Sequence, residues 1–251
     1  VGSNKTTPEA VGLKSPSKHK TVKANQLSAK KTQAFKKLNQ DPSLARKLGD
    51  NDEDMILKSL LDEQGFSGKG SIVSKNELDK FIENGERELF RGVTSPKFAD
   101  TFRDGELYAG LGTYGNGIYT AYGSGLGANG KIGAEGLKTA IDYAGDKGSI
   151  VRMSLKADAK IIKKDDLLLE MMDYEDELEE RLSKAVSKKE KAEIEAEKLL
   201  ISDFGRFATL KGYDAIDVPH EKYLVVLNRT ALRIQDSNFD LKGEKNGYNL
   251  K

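Results

Sequence analysis

The chain has 251 residues, of which 37% are hydrophobic and 32% charged, and its mean hydropathy is -0.58. This composition suits one full domain with solvated appendages, and no apolar run approaches the roughly 18 residues that a membrane-spanning helix needs. The absence of cysteine excludes disulfides, thiol nucleophiles and thiolate metal sites. With His19 and His220 as the two histidines, the sequence predicts no metal site.

The net charge of +1 conceals an uneven distribution along the chain. Residues 1–50 contain eleven Lys and Arg but three acidic residues, a net charge of +8, so the other 201 residues carry a net charge of -7. Such a segment is either a solvated tail or a segment that binds a polyanion such as DNA. Its single aromatic residue is Phe35, so binding to nucleic acid is expected to be nonspecific and sensitive to salt.

The first third of the chain is predicted to be a basic arm followed by helices. Residues 1–49 lack a confident apolar stripe and are assigned to a basic flexible or helical arm. Residues 50–85 are predicted to be a helical lead-in. Its second helix begins at a capping box formed by Ser74 and Glu77 and ends near Gly85.

A mixed segment of strands and helices follows, with a domain predicted at 86–236 and a polar tail at 237–251. Eleven glycines between Gly105 and Gly136 exclude one regular element there and indicate a shaped loop or a series of turns. The charge-dense stretch 165–201 predicts a long helix or a helical hairpin, with a second cap formed by Ser187 and Glu190. The predicted strands are 88–93, 106–109, 149–155, 214–218, 223–227 and 231–234, the predicted helices are 99–103, 136–144 and 202–210, and 159–162 is predicted to begin a linker.

Two glycine patterns, at 110–115 and 125–130, match the spacing of dinucleotide-binding loops. That motif requires a helix directly after the third glycine, whereas Gly115 is followed by the extended, aromatic segment 116–119. The segment after Gly115 therefore argues against a Rossmann-type dinucleotide-binding loop. A flexible surface loop remains the plain structural alternative.

Six short sequence motifs, in the same order along the chain, resemble those of the ADP-ribosyltransferase superfamily. In that superfamily a first strand carries His or Arg followed by Gly, a middle motif reads Gly-x-Gly-Ile-Tyr, and a late strand begins with Glu. The stretch from about residue 60 to 234 is most similar to the ADP-ribosyltransferase-like domain at the C-terminus of phage minor head proteins. The matching motifs lie at residues 64–66, 89–93, 114–119, 152–156, 212–216 and 226–232.

The resemblance implies an α+β fold with a split mixed β-sheet core, a helical N-terminal segment and a long helical insertion. It implies an NAD-dependent ADP-ribosyltransferase that releases nicotinamide and transfers ADP-ribose to a host protein or nucleic acid. Such an enzyme would be carried by a phage particle into the bacterial cytoplasm, with NAD as its cofactor. The alternative is a non-enzymatic virion protein with a degenerate fold, whose residues 1–50 bind phage DNA or capsid or portal proteins. A nuclease-like toxin is a weaker hypothesis, because no paired acidic motif for Mg²⁺ is present.

Carried over onto matching positions, the resemblance implies Glu221, Arg91 and Tyr119 as catalytic residues. Arg91 would bind the ribose or phosphate of NAD, Tyr119 would stack on nicotinamide, and Glu221 would stabilise the developing oxocarbenium ion. Tyr223 occupies the place of the family's glutamate, so Glu221, two residues earlier, is the candidate carboxylate. A salt bridge for Arg91 and core packing for the tyrosines are the structural alternatives. The implied NAD-binding residues are Arg91, Gly92, Gly115, Gly117, Tyr119, Tyr143 and Tyr223.

Overall fold

The computed structural model describes residues 69–104, 110–122 and 135–240. These residues form eight strands in one mixed sheet, a short ninth strand beside it, and six α-helices. The predicted α+β class is confirmed. The predictions for the arm, the first lead-in helix and the strand at 106–109 lie outside the described residues, as does the tail after residue 240.

The elements are named in chain order. The strands are β1 (Ser71–Val73), β2 (Arg87–Val93), β3 (Gly110–Gly112), β4 (Gly115–Ala121), β5 (Ser149–Leu155), β6 (Ile161–Lys163), β7 (Ala215–Val218), β8 (Tyr223–Val226) and β9 (Leu232–Gln235). The helices are α1 (Lys75–Glu83), α2 (Pro96–Asp104), α3 (Glu135–Ala144), α4 (Lys164–Lys184), α5 (Lys188–Ile201) and α6 (Phe204–Leu210). No helix in the described ranges has both the length and the apolar character needed to cross a bilayer.

The sheet runs in the order β1-β9-β5-β2-β4-β8-β7-β6, with β3 paired to β4 as a hairpin. The β1–β9 and β6–β7 pairs are parallel and the others antiparallel. Strands β2 and β5 are paired over seven residues. Strands β2 and β4 are paired at one position, where Phe90 lies opposite Ala121. The sheet is therefore least tightly joined where β2 meets β4.

Helices cover both faces of the sheet. Strand β2 shows this, because its alternate apolar side chains pack against different helices on the two faces. Leu89 packs in one core cluster with Phe102 of α2, and Phe90 packs in another with Leu137 of α3. A third cluster joins α4, α5 and α6 to β7 and β8. The strands at the centre are thus buried on two sides, which fixes the backbone that carries the candidate site.

Two predicted caps are confirmed. The Ser74 side chain accepts a hydrogen bond from the Glu77 N–H, and Glu77 Oε2 accepts one from the Ser74 N–H at 2.9 Å. Between α4 and α5, the Glu190 N–H donates to Ser187 Oγ at 3.0 Å. The stretch 165–201 is therefore a helical hairpin rather than one long helix.

Three predicted boundaries are wrong. The lead-in contains strand β1, which pairs with β9, so the sheet begins at Ser71 and not after residue 85. The predicted linker contains strand β6, which pairs with β7. The predicted tail is anchored to the core by Phe239, whose ring meets Phe90 edge-on at 5.7 Å and whose N–H donates to the Ile150 carbonyl at 3.0 Å.

Candidate functional site

Arg91 lies on β2 at the junction with β4, and it has few partners. Its Nη1 donates a hydrogen bond to the Tyr119 carbonyl at 2.9 Å, while its Nε is enclosed and has no hydrogen-bond partner among the residues that the structure describes. Burial lowers the pKa of the guanidinium. Among the described residues no carboxylate pairs with it. The structure thus gives no support to the salt-bridge alternative for Arg91.

A second guanidinium lies close to the first. Arg229 is fully buried, and its guanidinium carbon is 4.6 Å from the centre of the Phe102 ring, compared with 5.7 Å for that of Arg91. Burial and the nearby charge of Arg91 both lower the pKa of Arg229. Two positive groups against one ring make this corner of the sheet attractive to an anion.

A cavity of about 360 Å³ opens beside Arg91. This volume falls within the range of small-molecule pockets. Two exposed aromatic side chains, Phe98 and Tyr143, contribute to the lining and are 52% and 74% exposed. The structure therefore brings together three predicted site residues in a cavity lined by Arg91, Gly92, Val93, Thr94, Phe98, Phe102 and Tyr143.

Gly92 allows α3 to approach β2. A Cβ atom on residue 92 would lie 2.0 Å from the Ala140 carbonyl oxygen and 2.9 Å from the Ala144 nitrogen, which are both backbone atoms. The helix could not keep its position against any larger residue. Because Tyr143 belongs to the same helix, Gly92 also sets where that ring stands at the cavity.

Tyr119 belongs to a separate aromatic cluster. Its ring centre lies 5.7 Å from that of Tyr223, and the ring of Tyr114 lies 5.9 Å from Tyr223. The Tyr119 hydroxyl accepts a hydrogen bond from the Tyr114 N–H at 3.1 Å. Burial raises the pKa of Tyr119 to about 12. These rings pack against the core cluster that α4, α5 and α6 form, so part of their role is structural.

Glu221 is exposed in the turn between β7 and β8, beside the aromatic cluster. Its Oε1 accepts a hydrogen bond from the Tyr114 hydroxyl at 2.5 Å. Hydrogen bonds from Tyr114 and then Tyr223, with the charge of Lys164, hold the pKa of Glu221 below its usual value. Tyr223 is in regular register opposite Ala121, so the carboxylate reaches the cluster from the turn and not from the strand.

The two glycines of the middle motif serve the packing of β4. Gly115 begins the strand and lies opposite Gly112 in the hairpin. Gly117 is buried, and a Cβ atom there would lie 2.4 Å from Val225 Cγ1 and 3.2 Å from the Val226 carbonyl oxygen. Gly117 therefore allows the neighbouring strand β8 to approach β4.

The predicted residues thus form two groups joined through β4. Arg91, Gly92 and Tyr143 line the cavity, while Tyr119, Tyr223 and Glu221 form the cluster at the end of β8. The bond from Arg91 to the Tyr119 carbonyl connects them. Six further residues at these two groups were not predicted from the sequence: Tyr114, Thr94, Phe98, Phe102, Lys164 and Arg229. Tyr114 and Arg229 lie within two of the motifs that resemble the ADP-ribosyltransferases, so the sequence contained a signal for these two residues.

Comparisons with known proteins add no relative: no family model, no curated protein and no solved structure matches the chain. Within the described ranges, no three His, Cys, Asp or Glu side chains are grouped as a metal ion would require.

Proposed function

We propose that this protein binds NAD, releases nicotinamide from it and transfers ADP-ribose to a host protein or nucleic acid. The observation that carries the proposal is the adjacency of β2, β4 and β8 in the sheet. These strands carry the first-strand, middle and late-strand motifs of the resemblance, and the helical hairpin separates β8 from β2 and β4 in sequence. Strands that are distant in the chain are thereby neighbours in the sheet.

The cavity beside Arg91 has the chemistry expected for the diphosphate end of NAD. A guanidinium is well suited to phosphate oxygens, and among the described residues no carboxylate pairs with that of Arg91. Phe98 and Tyr143 present aromatic surface on which a planar base could stack. An anionic ligand would also offset the proximity of Arg91 to Arg229.

The cluster at the end of β8 has the chemistry expected for the nicotinamide end. Loss of nicotinamide leaves positive charge on the ribose, and a carboxylate positioned beside that charge lowers the barrier. Glu221 hydrogen-bonds to Tyr114 and Tyr223 of this cluster, and its lowered pKa keeps it ionised at neutral pH. The rings of Tyr119 and Tyr223 beside it offer aromatic surface to the leaving group.

The test is nicotinamide release from NAD by the full chain, with and without lysate of a bacterial host. Glu221→Gln and Arg91→Ala are expected to abolish release. Glu180→Gln, which removes an exposed carboxylate paired with Lys184, and Arg87→Ala, four residues earlier on β2, are the matched controls. Release that persists in both site variants, or no release by any folded chain, would contradict the proposal.

A second candidate function rests on the charge of residues 1–50. We propose as the alternative that the chain is a structural protein of a phage particle, held to packaged DNA by this arm. Binding to duplex DNA should then weaken steeply as salt rises, because each neutralised phosphate releases counterions.

The test of this alternative uses two sets of four substitutions in the full chain. Replacing four lysines of the arm by Gln is expected to reduce the salt dependence, while the same change on the helical hairpin serves as the control. DNA binding that is indifferent to salt, or equally affected by both sets, would exclude the alternative. The arm set is Lys30, Lys31, Lys36 and Lys37, and the control set is Lys184, Lys188, Lys189 and Lys191.

A further inference from the structure

Tyr114 hydrogen-bonds to two of the candidate site residues. It lies in the turn between β3 and β4. Its backbone N–H donates to the Tyr119 hydroxyl at 3.1 Å, and its own hydroxyl donates to Glu221 Oε1 at 2.5 Å. The side chain therefore connects the motif strand β4 to the turn that precedes β8.

The ring of Tyr114 is held by three other elements. It meets Phe204 of α6 edge-on at 6.3 Å and Tyr223 of β8 at 5.9 Å. Lys164, the first residue of α4, places its Nζ 5.9 Å from the ring centre. A phenol fixed by packing presents its hydroxyl in one direction, so its hydrogen bond restricts an otherwise exposed carboxylate.

The hairpin that carries Tyr114 is closed over Tyr119 because Gly112 lacks a side chain. A Cβ atom on residue 112 would lie 2.0 Å from both the Tyr119 Cζ and its hydroxyl oxygen. Any larger residue would push the hairpin away from the ring. The local sequence thus specifies the approach of the turn to Glu221.

We propose that Tyr114 is a positioning residue that fixes the Glu221 carboxylate beside the rings of Tyr119 and Tyr223. The inference rests on the proposed function, in which Glu221 faces the reacting ribose. Tyr114 acts through Glu221 and has no chemical step of its own. Through Lys164, the first residue of α4, it also connects the helical insertion to the site, so the packing of the insertion contributes to the placement of the carboxylate.

Several other titratable groups surround Glu221 and Tyr114. Tyr223 also hydrogen-bonds to Glu221, and Lys164 contributes a positive charge. Lys164 pairs with Asp165 at 3.0 Å, and the negative charge of Asp203 contributes to the raised pKa of Tyr119. Of the two residues next to Glu221 in the turn, Lys222 pairs with Glu135 at 2.6 Å and His220 is exposed; both are unchanged in the variants that follow.

The experiment measures the titration of the Glu221 carboxylate by carbon NMR in the full chain. Tyr114→Phe keeps the ring and removes the hydroxyl, so the pKa of Glu221 is expected to rise. Tyr213→Phe is the matched control, because the Tyr213 hydroxyl donates to Glu170 Oε1 at 2.8 Å and does not contact Glu221. A backbone spectrum of each variant confirms that the fold is kept.

Nicotinamide release supplies the second measurement. In Tyr114→Phe, kcat is expected to fall roughly ten- to a hundred-fold, the equivalent of one hydrogen bond to a charged group, with little change in KM for NAD. Tyr213→Phe should leave kcat unchanged. A fall in kcat together with the raised pKa of Glu221 in the first variant alone supports the positioning role.

The two measurements separate the inference from the proposed function. If Tyr114→Phe leaves the titration of Glu221 unchanged, or if Tyr213→Phe shifts it equally, the positioning role is overturned whether or not the chain is active. If the wild-type chain releases no nicotinamide but the titration of Glu221 shifts as expected, the proposed function is overturned and the positioning of the carboxylate stands.

Discussion

Arg91 and Tyr119 are joined by a hydrogen bond from the Arg91 Nη1 to the Tyr119 carbonyl at 2.9 Å, across the least tightly joined pair of strands in the sheet. The side chain of Arg91 lines the cavity, whereas the ring of Tyr119 packs in the aromatic cluster beside Glu221. The bond thus connects the two halves of the candidate site. It also occupies one of the donors of Arg91.

Arg91→Met is expected to change stability little. The variant loses one hydrogen bond, worth about 1 kcal/mol, but it also removes an enclosed Nε that has no partner. The free energy of unfolding, measured by urea denaturation, should stay within about 1 kcal/mol of wild type. A loss of more than about 3 kcal/mol would mean that Arg91 is a structural arginine.

Arg152→Met supplies the contrast, because this buried arginine has acidic partners. Its Nε pairs with Glu88 and its Nη1 with Asp79 at 2.6 Å. Removing the guanidinium leaves the buried Glu88 carboxylate without its ion pair, which is expected to cost about 3–5 kcal/mol. Equal effects of the two substitutions would contradict the distinction between a binding and a structural arginine.

Gly92→Ala is expected to be strongly destabilising and Gly70→Ala only mildly so. At residue 92 the new Cβ atom would lie 2.0 Å from the backbone carbonyl of Ala140, and a helix must move to accept it. At residue 70 it would lie 2.7 Å from Ile234 Cδ1, the far end of a flexible side chain. Thermal unfolding should show a loss of roughly 1–3 kcal/mol for Gly92→Ala and less than about 1 kcal/mol for Gly70→Ala. The reverse order would contradict this packing of α3.

The elements predicted best are those whose own residues determine them. The strand at 149–155 has the same bounds in the structure, and the cap at Ser187 and Glu190 divides the hairpin as its sequence indicates. By contrast, β1 and β6 have three residues each, too few for a detectable period, and each exists because it pairs with a later strand. Such strands depend on distant partners that local sequence does not reveal.

The residues of the candidate site likewise divide into those that the local sequence indicates and those that depend on tertiary packing. Arg91 and Gly92 stand out in an apolar strand, so the sequence indicates them without a structure. The rings of Phe98 and Phe102 reach the cavity because α2 packs against β2, a tertiary placement that periodicity does not encode. The reach of Glu221 from a turn to the Tyr114 hydroxyl is likewise a product of the folded hairpin.

The capping box at α1 predicts a weakening of the fold in acid. Hydrogen bonds from Ser74 hold the pKa of Glu77 below its usual value, so this stabilisation is present above the unfolded pKa and is lost as the pH falls through the lower folded value. Ser74→Ala should destabilise the protein by about 1 kcal/mol at neutral pH. Below about pH 4 the difference between variant and wild type should shrink. A difference that is constant with pH, measured by urea denaturation, would contradict this role of Glu77.

The buried phenol of Tyr119 predicts a weakening of the fold in alkali. Burial raises its pKa from the ordinary 10.0 to about 12, so its contribution is fully present below the unfolded pKa and is lost as the pH rises through the folded one. Tyr122, Tyr174, Tyr213 and Tyr223 shift in the same direction, so the wild-type loss is the sum of several phenols. Tyr119→Phe should therefore reduce, but not remove, the fall in unfolding free energy between about pH 9 and about pH 11, with up to about one proton fewer released on unfolding. Identical slopes in wild type and variant would show that this phenol ionises freely in the folded chain.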